Sequence, residues 1–168
     1  MSSPVRYRVV VVDGMLGKLA RWLRMLGVPA LYRSSWSDEE LLAALGEPGS
    51  LLLTRDEGLA RRAARAGLSA LLLPQARVED LLAVVLPVLG VEARFDQGRA
   101  LCPLCGSPLR RAGPGEVAGR VPERVAGAYS EFYVCTGCGQ VYWMGSHMRQ
   151  IESTLERVRR IVHGKVVC

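Results

Sequence analysis

The chain has no asparagine and only two lysines in 168 residues, and no apolar run comes near the ~18 residues needed to cross a bilayer. The missing apolar run argues against a membrane-spanning protein, and the opening MSSPVRYR lacks a signal-peptide profile, so the sequence reads as soluble and cytoplasmic. The absence of asparagine fits a heat-adapted source. Because lysine is scarce, the net charge of +6 is carried by twenty arginines. Guanidinium forks match phosphate oxygens, which favours a phosphate-rich partner. A GC-rich genome inflates arginine together with alanine, glycine, leucine and proline, so charge alone leaves nucleic acid and composition equally open. No internal repeat and no long low-complexity tract is present. At this length the chain can hold one sizeable core, or one domain of about 100 residues plus a small module that needs its own staple.

Four of the five cysteines supply such a staple. They form CPLC at Cys102 and Cys105 and CTGC at Cys135 and Cys138, two CxxC knuckles separated by a long insert. Each knuckle can present two thiolates to one ion, and four thiolates complete a tetrahedral zinc site. Gly106, Gly137 and Gly139 suit the tight turns of such knuckles. Two disulfides or a CxxC redox pair are the alternatives, and disulfides are rare in cytosolic proteins. With every position filled by sulfur, no site stays open for water, and the zinc is structural. Cys168 is left over without a role.

Residues 5 to 13 read as a first strand whose valine run suggests burial on both faces. GMLGKLARWLRMLG follows as a helix with Leu16, Leu19, Ala20, Leu23 and Leu26 at helical spacing and Gly27 as its stop. PALYRSS is a second strand, and Ser37 with Glu40 is a capping box that opens a second helix. SLLLTRD, EGLARRAARAG, SALLLP and RVEDLLAVVLPVLG continue the alternation, the last with Pro87 as a kink point. Four strand and helix pairs predict a parallel sheet covered on both faces. After Val91 the pattern changes to a polar linker, the two knuckles with a Gly/Pro-rich insert, and a short charged helix over residues 148 to 161. The expected division is 1–92 for the α/β unit and 93–168 for a zinc ribbon with a C-terminal helix.

Aspartate is also scarce, with five in the chain. Two of them, Asp13 and Asp56, end predicted strands and run straight into helices. Open α/β sheets build their ligand crevices at the carboxyl ends of strands. Facing carboxylates there suit a hard divalent cation, which takes a few carboxylates and several waters. Each aspartate could equally be a plain helix cap.

Asp13 with MLGKLARWLRMLG, then LLLTRD, then CPLC and CTGC, then VYWMGSH, resembles the Mut7-C RNase domain family over about residues 8 to 150. GSHM at Gly145 to Met148 mimics a cloning scar but sits inside the matching motif, so it is kept as native. The resemblance implies a PIN-like nuclease fold joined to a C-terminal zinc ribbon, and a metal-dependent ribonuclease but no particular RNA; single-stranded RNA is the substrate expected here. Phosphodiester hydrolysis needs an activated water and relief of charge on the leaving oxygen, which Mg²⁺ or Mn²⁺ can supply. In the strand order 2-1-3-4, Asp13 and Asp56 would be the core ligands and Asp38 the third carboxylate, with Glu39 as its substitute; all three also suit ordinary helix N-termini. Asp80 has the same double reading.

Thr54 would orient a water or phosphate beside Asp56, or satisfy a backbone group. Lys18 and Arg21 would grip the RNA backbone, with Arg24 extending the track; solvated helix charges are the plainer reading. Trp22 is expected to pack, and Arg55 to face phosphate or solvent. Tyr142, Trp143, His147 and Arg149 form a cluster suited to base stacking and backbone contacts, or to the miniature core of the ribbon, with His147 as a possible RNA contact. The competing reading of the whole chain is a non-catalytic RNA-binding or adaptor protein with a degenerate PIN-like domain; a toxin-like role fits the added ribbon poorly. A phosphatase or phosphotransfer domain fits worse, since Asp13-Gly14-Met15 lacks the second aspartate of a DxD pair and LLLP ends in no lysine. The particular RNA and the oligomeric state are not legible.

Overall fold

A computed structural model describes residues 7–46, 49–145 and 147–164. Valine and leucine runs, which pack well on pleated surfaces buried on both sides, form β1 (Val9–Val12), β2 (Ala30–Tyr32), β3 (Ser50–Thr54) and β4 (Ser69–Leu72). They pair in parallel in the order β2-β1-β3-β4, as expected. The first strand is shorter than residues 5 to 13; Val5 and Arg6 lie outside the described residues, as does Cys168. The crossovers are α1 (Gly17–Met25), α2 (Asp38–Ala44) and α3 (Glu57–Arg65), and α4 (Val78–Leu89) follows β4.

Alternation along the two central strands sends side chains to opposite faces. Val10, Val12, Leu51 and Leu53 pack with α1 and α4, while Val11 and Leu52 pack with Leu41 and Leu45 around α2 and with Leu59 and Ala63 of α3. The Ser37–Glu40 capping box forms in both directions and starts α2, an arrangement worth about 1 kcal/mol. Pro87 sits within α4, where its missing N–H removes one helical bond, and Gly90 at φ 72° closes the helix in the left-handed conformation.

The second sheet is antiparallel: β5 (Leu109–Ala112), β6 (Phe132–Cys135) and β7 (Val141–Trp143), in that order. The Gly/Pro-rich insert holds two short helices, α5 (Pro114–Val117) and α6 (Glu123–Ala128), whose Val117 and Val125 close a small core on Phe132. The last helix, α7 (His147–Gly164), is longer than predicted. It leaves the ribbon and returns to the parallel sheet unit, where Leu155 and Val158 are buried in the same core as α1 and α4.

Candidate active site and metal-binding knuckles

Chain order reverses between β1 and β3, since the chain steps from β1 out to β2 and then back across to β3. The crevice of an open α/β sheet lies at that reversal, outside the carboxyl ends of the strands. Asp13 and Asp56 follow those two ends. Asp13 continues the ladder, its N–H bonding the Leu53 carbonyl at 3.0 Å. Its Oδ1 accepts from Gly14 N–H at 2.7 Å, and its Oδ2 accepts from the Thr54 hydroxyl at 2.8 Å. That same hydroxyl oxygen accepts from Asp56 N–H at 2.9 Å. Fully buried Thr54 therefore ties both aspartates together, and of its two expected roles it takes the backbone one at Asp56. Asp56 also caps α3, Oδ1 accepting from Leu59 N–H at 3.1 Å. Capping does not exhaust either carboxylate, because each oxygen offers two lone pairs.

The turn after Asp13 is braced from two sides. Tyr32 donates its hydroxyl to the Gly14 carbonyl at 2.8 Å, and Arg55 donates to the Met15 carbonyl at 3.1 Å. A Cβ on Gly17 would stand 2.7 Å from the Tyr32 oxygen, so the close approach needs glycine there. Arg55 thus holds the turn, while its Nε is buried without a partner among the described residues. Tyr32 was not legible as a site residue; an aromatic closing a strand carries no such signal alone.

Asp38 and Glu39 open α2 and face Arg62 of α3, at 3.5 and 3.1 Å. Glu39's own backbone N–H and the Arg62 guanidinium hold its carboxyl below the usual range. Among the described residues, Asp13, Asp38 and Asp56 do not form a cluster of closely convergent ligand atoms, whereas the four cysteines do. Asp80 pairs with Arg77 at 3.8 Å on its own helix.

The sulfurs of Cys102, Cys105, Cys135 and Cys138 all lie within 4.8 Å of one another, and the cysteines are free. A tetrahedral zinc site with Zn–S near 2.3 Å has sulfur–sulfur edges of about 3.8 Å, and Cys102 and Cys138 stand 3.8 Å apart. The two knuckles share one backbone plan: Gly106 N–H bonds the Cys102 carbonyl and Gly139 N–H bonds the Cys135 carbonyl, with both glycines at positive φ. Gly137 and Cys138 N–H both point at the Cys135 sulfur at 3.3 Å. Ser107, through side chain and backbone, and then Cys135 pull the Cys105 thiol down to about 6. At Cys138 the Gln140 backbone pulls down, but desolvation and the three neighbouring sulfurs outweigh it and push the thiol up to about 11. The Cys105 thiol is thus drawn down and the Cys138 thiol pushed up within one cluster. The residues fit a metal ion of the zinc type.

Arg24 corrects one expectation. It does not extend a phosphate track on α1, because it is only 5% exposed. Its Nε donates to the Ala30 carbonyl at 2.9 Å and its Nη1 to the Pro103 and Leu104 carbonyls at 3.0 and 3.2 Å, inside the first knuckle. The Leu101 N–H returns a bond to the Arg24 carbonyl at 2.9 Å. Burial lowers the guanidinium's proton affinity and the Cys105 and Cys102 sulfurs oppose that. The sequence did carry a hint: Arg24 follows Ala20 by four residues, on the edge of the apolar face.

The cluster after the second knuckle splits in two. Trp143 packs at 6.4 Å, tilted, on Phe132, and the Tyr142 hydroxyl lies 3.0 Å from the Cys102 sulfur, so these aromatics serve the ribbon core. Burial, then Cys102, raises the Tyr142 phenol above its ordinary range. His147 and Arg149 instead line a groove shared with Lys18 and Trp22 of α1. Arg21 is exposed on that helix, outside the groove.

No helix among the described residues is long and apolar enough to cross a membrane. No curated protein and no solved structure matches the chain. A family model does, over residues 8–155, which takes in the strand-end aspartates, both cysteine knuckles and the start of α7. By that match the chain belongs to the Mut7-C RNAse domain family.

Proposed function

We propose that this protein is a cytoplasmic, metal-dependent ribonuclease that hydrolyses phosphodiester bonds of single-stranded RNA at a Mg²⁺ or Mn²⁺ site held by Asp13 and Asp56. The observation that carries this reading is the Thr54 hydroxyl, which bonds Asp13 Oδ2 and Asp56 N–H at once and fixes two acidic residues at the reversal point of the sheet. Family membership supports the reaction class.

In hydrolysis, water adds to phosphorus, the P–O ester bond breaks, and the leaving oxygen takes up a proton. A bound divalent cation would supply water activation and charge relief at the leaving oxygen. The chain's own part is positional. Thr54 and Gly14 N–H keep Asp13 from rotating, and the α3 cap keeps Asp56 at the crevice. Asp38 is assigned the third acidic position; joining the cation would mean leaving Arg62, an exposed pair that costs little to break. Lys18, at the start of α1, and Arg21, three residues on, in this reading grip phosphates next to the cleavage point, and His147 contacts RNA from α7. In this reading residues 1–92 form the catalytic unit, and residues 93–168 carry a structural zinc on Cys102, Cys105, Cys135 and Cys138 and assist RNA binding.

End-labelled single-stranded RNA incubated with the purified protein tests this, with Mn²⁺ or Mg²⁺ against EDTA. Cleavage that needs the cation and disappears in folded, zinc-loaded Asp13→Asn and Asp56→Asn variants is the expected result. RNA that binds without being cut would establish the adaptor reading instead, and variants that cut as well as the parent would show that Asp13 and Asp56 are not the active site.

A further inference from the structure

The groove between α1 and α7 is a place where two parts of the chain far apart in sequence meet. Lys18 and Trp22 are four residues apart on α1 and so share one side of that helix. Arg149 and Arg157 come from α7, and all four line the same depression of about 710 Å³, together with His147 and Glu79. Arg157 is held by Glu79 at 3.5 Å, whereas Lys18 and Arg149 form no ion pair among the described residues. Trp22 is half-buried against the core and still contributes to the groove wall. The lining therefore combines cations on both walls with an aromatic surface and neutral polar groups, among them Gln150 and Ser153.

That combination suits a particular ligand class. Phosphates need cations spaced along a path, and only an unpaired strand can offer the faces of its bases to an aromatic side chain. An acidic peptide would use the arginines but leave the indole idle. Position supports the same choice, since Lys18 sits in the first turn of the helix that leaves the Asp13 turn. We infer that the α1–α7 groove is the track for the single-stranded RNA, with Lys18 and Arg149 on its phosphates and Trp22 under a base next to the cleavage point. This deepens the ribonuclease reading and rests on it for the direction of the strand. It also gives α7 a task beyond packing: the helix that follows the ribbon supplies one wall of the track.

Binding can be separated from turnover. Full-length, zinc-loaded protein carrying Asp13→Asn would be titrated into a fluorescein-labelled pyrimidine ten-mer, read by anisotropy over a range of KCl concentrations. Lys18→Gln and Arg149→Gln should each weaken binding several-fold and lower the slope of log affinity against log salt by about 0.7. Trp22→Leu should weaken it about tenfold with the slope unchanged. Because Trp22 also packs, 4-thiouridine crosslinking on the unsubstituted tryptophan gives a second reading, with adducts expected on α1 and α7 peptides. Parent-like affinity and slope in all three variants, crosslinks confined to other elements, or a duplex that binds as tightly as the single strand would each overturn the track. If the variants bind as expected while the parent protein never cleaves, the ribonuclease reading falls and the track stands; if the parent cleaves while the variants bind unchanged, the track falls and the ribonuclease stands.

Discussion

At the scale of single residues, Thr54 has the largest consequence for its size. Replacing it with valine keeps the shape and removes the hydroxyl, so Asp13 Oδ2 loses its side-chain partner and Asp56 N–H loses its acceptor, both in partly buried hydrogen bonds. An unsatisfied group of this kind costs about 1–3 kcal/mol. We expect Thr54→Val to melt measurably lower and to cut RNA at least tenfold more slowly with KM little changed, because it loosens the carboxylates and leaves the groove intact; a melt and a steady-state cleavage assay check both. Gly137 is the counterpart in the second knuckle. A Cβ there would collide with the Ser107 hydroxyl and crowd the Cys105 sulfur. Gly137→Ala should therefore release zinc to a chromophoric chelator faster than the parent does, at unchanged protein concentration and pH. Glycine and threonine were both visible in the sequence. What each touches was not, since Ser107 is thirty residues from Gly137 and Asp13 forty-one from Thr54.

Among the elements, α1 couples the two halves of the molecule. Its first turn follows the Asp13 turn, and its last carries Arg24 into the Cys102–Cys105 knuckle. Substituting Arg24 with methionine would retain the buried stem and abandon three carbonyls. We expect a loss of roughly 2–4 kcal/mol in stability, together with weaker zinc retention, because the knuckle loop loses its anchor. Chemical denaturation followed alongside chelator-driven zinc release would show both effects. If stability falls while zinc release stays as in the parent, the strut does not reach the metal site. The sequence showed α1 as an amphipathic helix with great clarity, and assigned Arg24 to its solvent side. Periodicity identifies an apolar stripe but not how far a neighbouring segment will cover its edge, and here residues 99–106 fold over it.

For the whole molecule, the two sheets differ in what holds them. The parallel sheet buries Val10–Val12 and Leu51–Leu53 between two helical layers, and this burial needs no metal. The small sheet β5–β7 closes on a handful of side chains and on four cysteines. Removing zinc should therefore deprotect the amides of β5–β7 in hydrogen exchange and leave those of β1 and β3 protected. It should also leave the middle of α7 protected, because Leu155 and Val158 pack with α4 rather than with the ribbon. The pH dependence follows from the thiols. Zinc binds thiolates, and with Cys138 raised to about 11 in the metal-free cluster, loading the site at neutral pH expels protons. Affinity accordingly rises with pH and falls on acidification, as protons compete for the sulfurs. A zinc titration repeated at several pH values checks the sign; affinity that is flat with pH would mean that binding expels no proton from a thiol.

Features encoded locally were legible from the residues alone. Strand and helix alternation fixed the parallel sheet, each CxxC pair fixed a turn that brings two sulfurs together, and the strand-end positions of Asp13 and Asp56 followed from where apolar runs stop. Each depends on spacing within about a dozen residues, so it can be read without knowing the rest of the chain. Only the tertiary structure decided which distant groups meet: the Thr54 hydroxyl between two aspartates, Arg24 inside a knuckle eighty residues away, and α7 laid beside α1 to form a groove. Those meetings are set by burial, which helices reach by covering whichever apolar surface remains open. A sequence pattern states that such a surface exists and is silent about its partner.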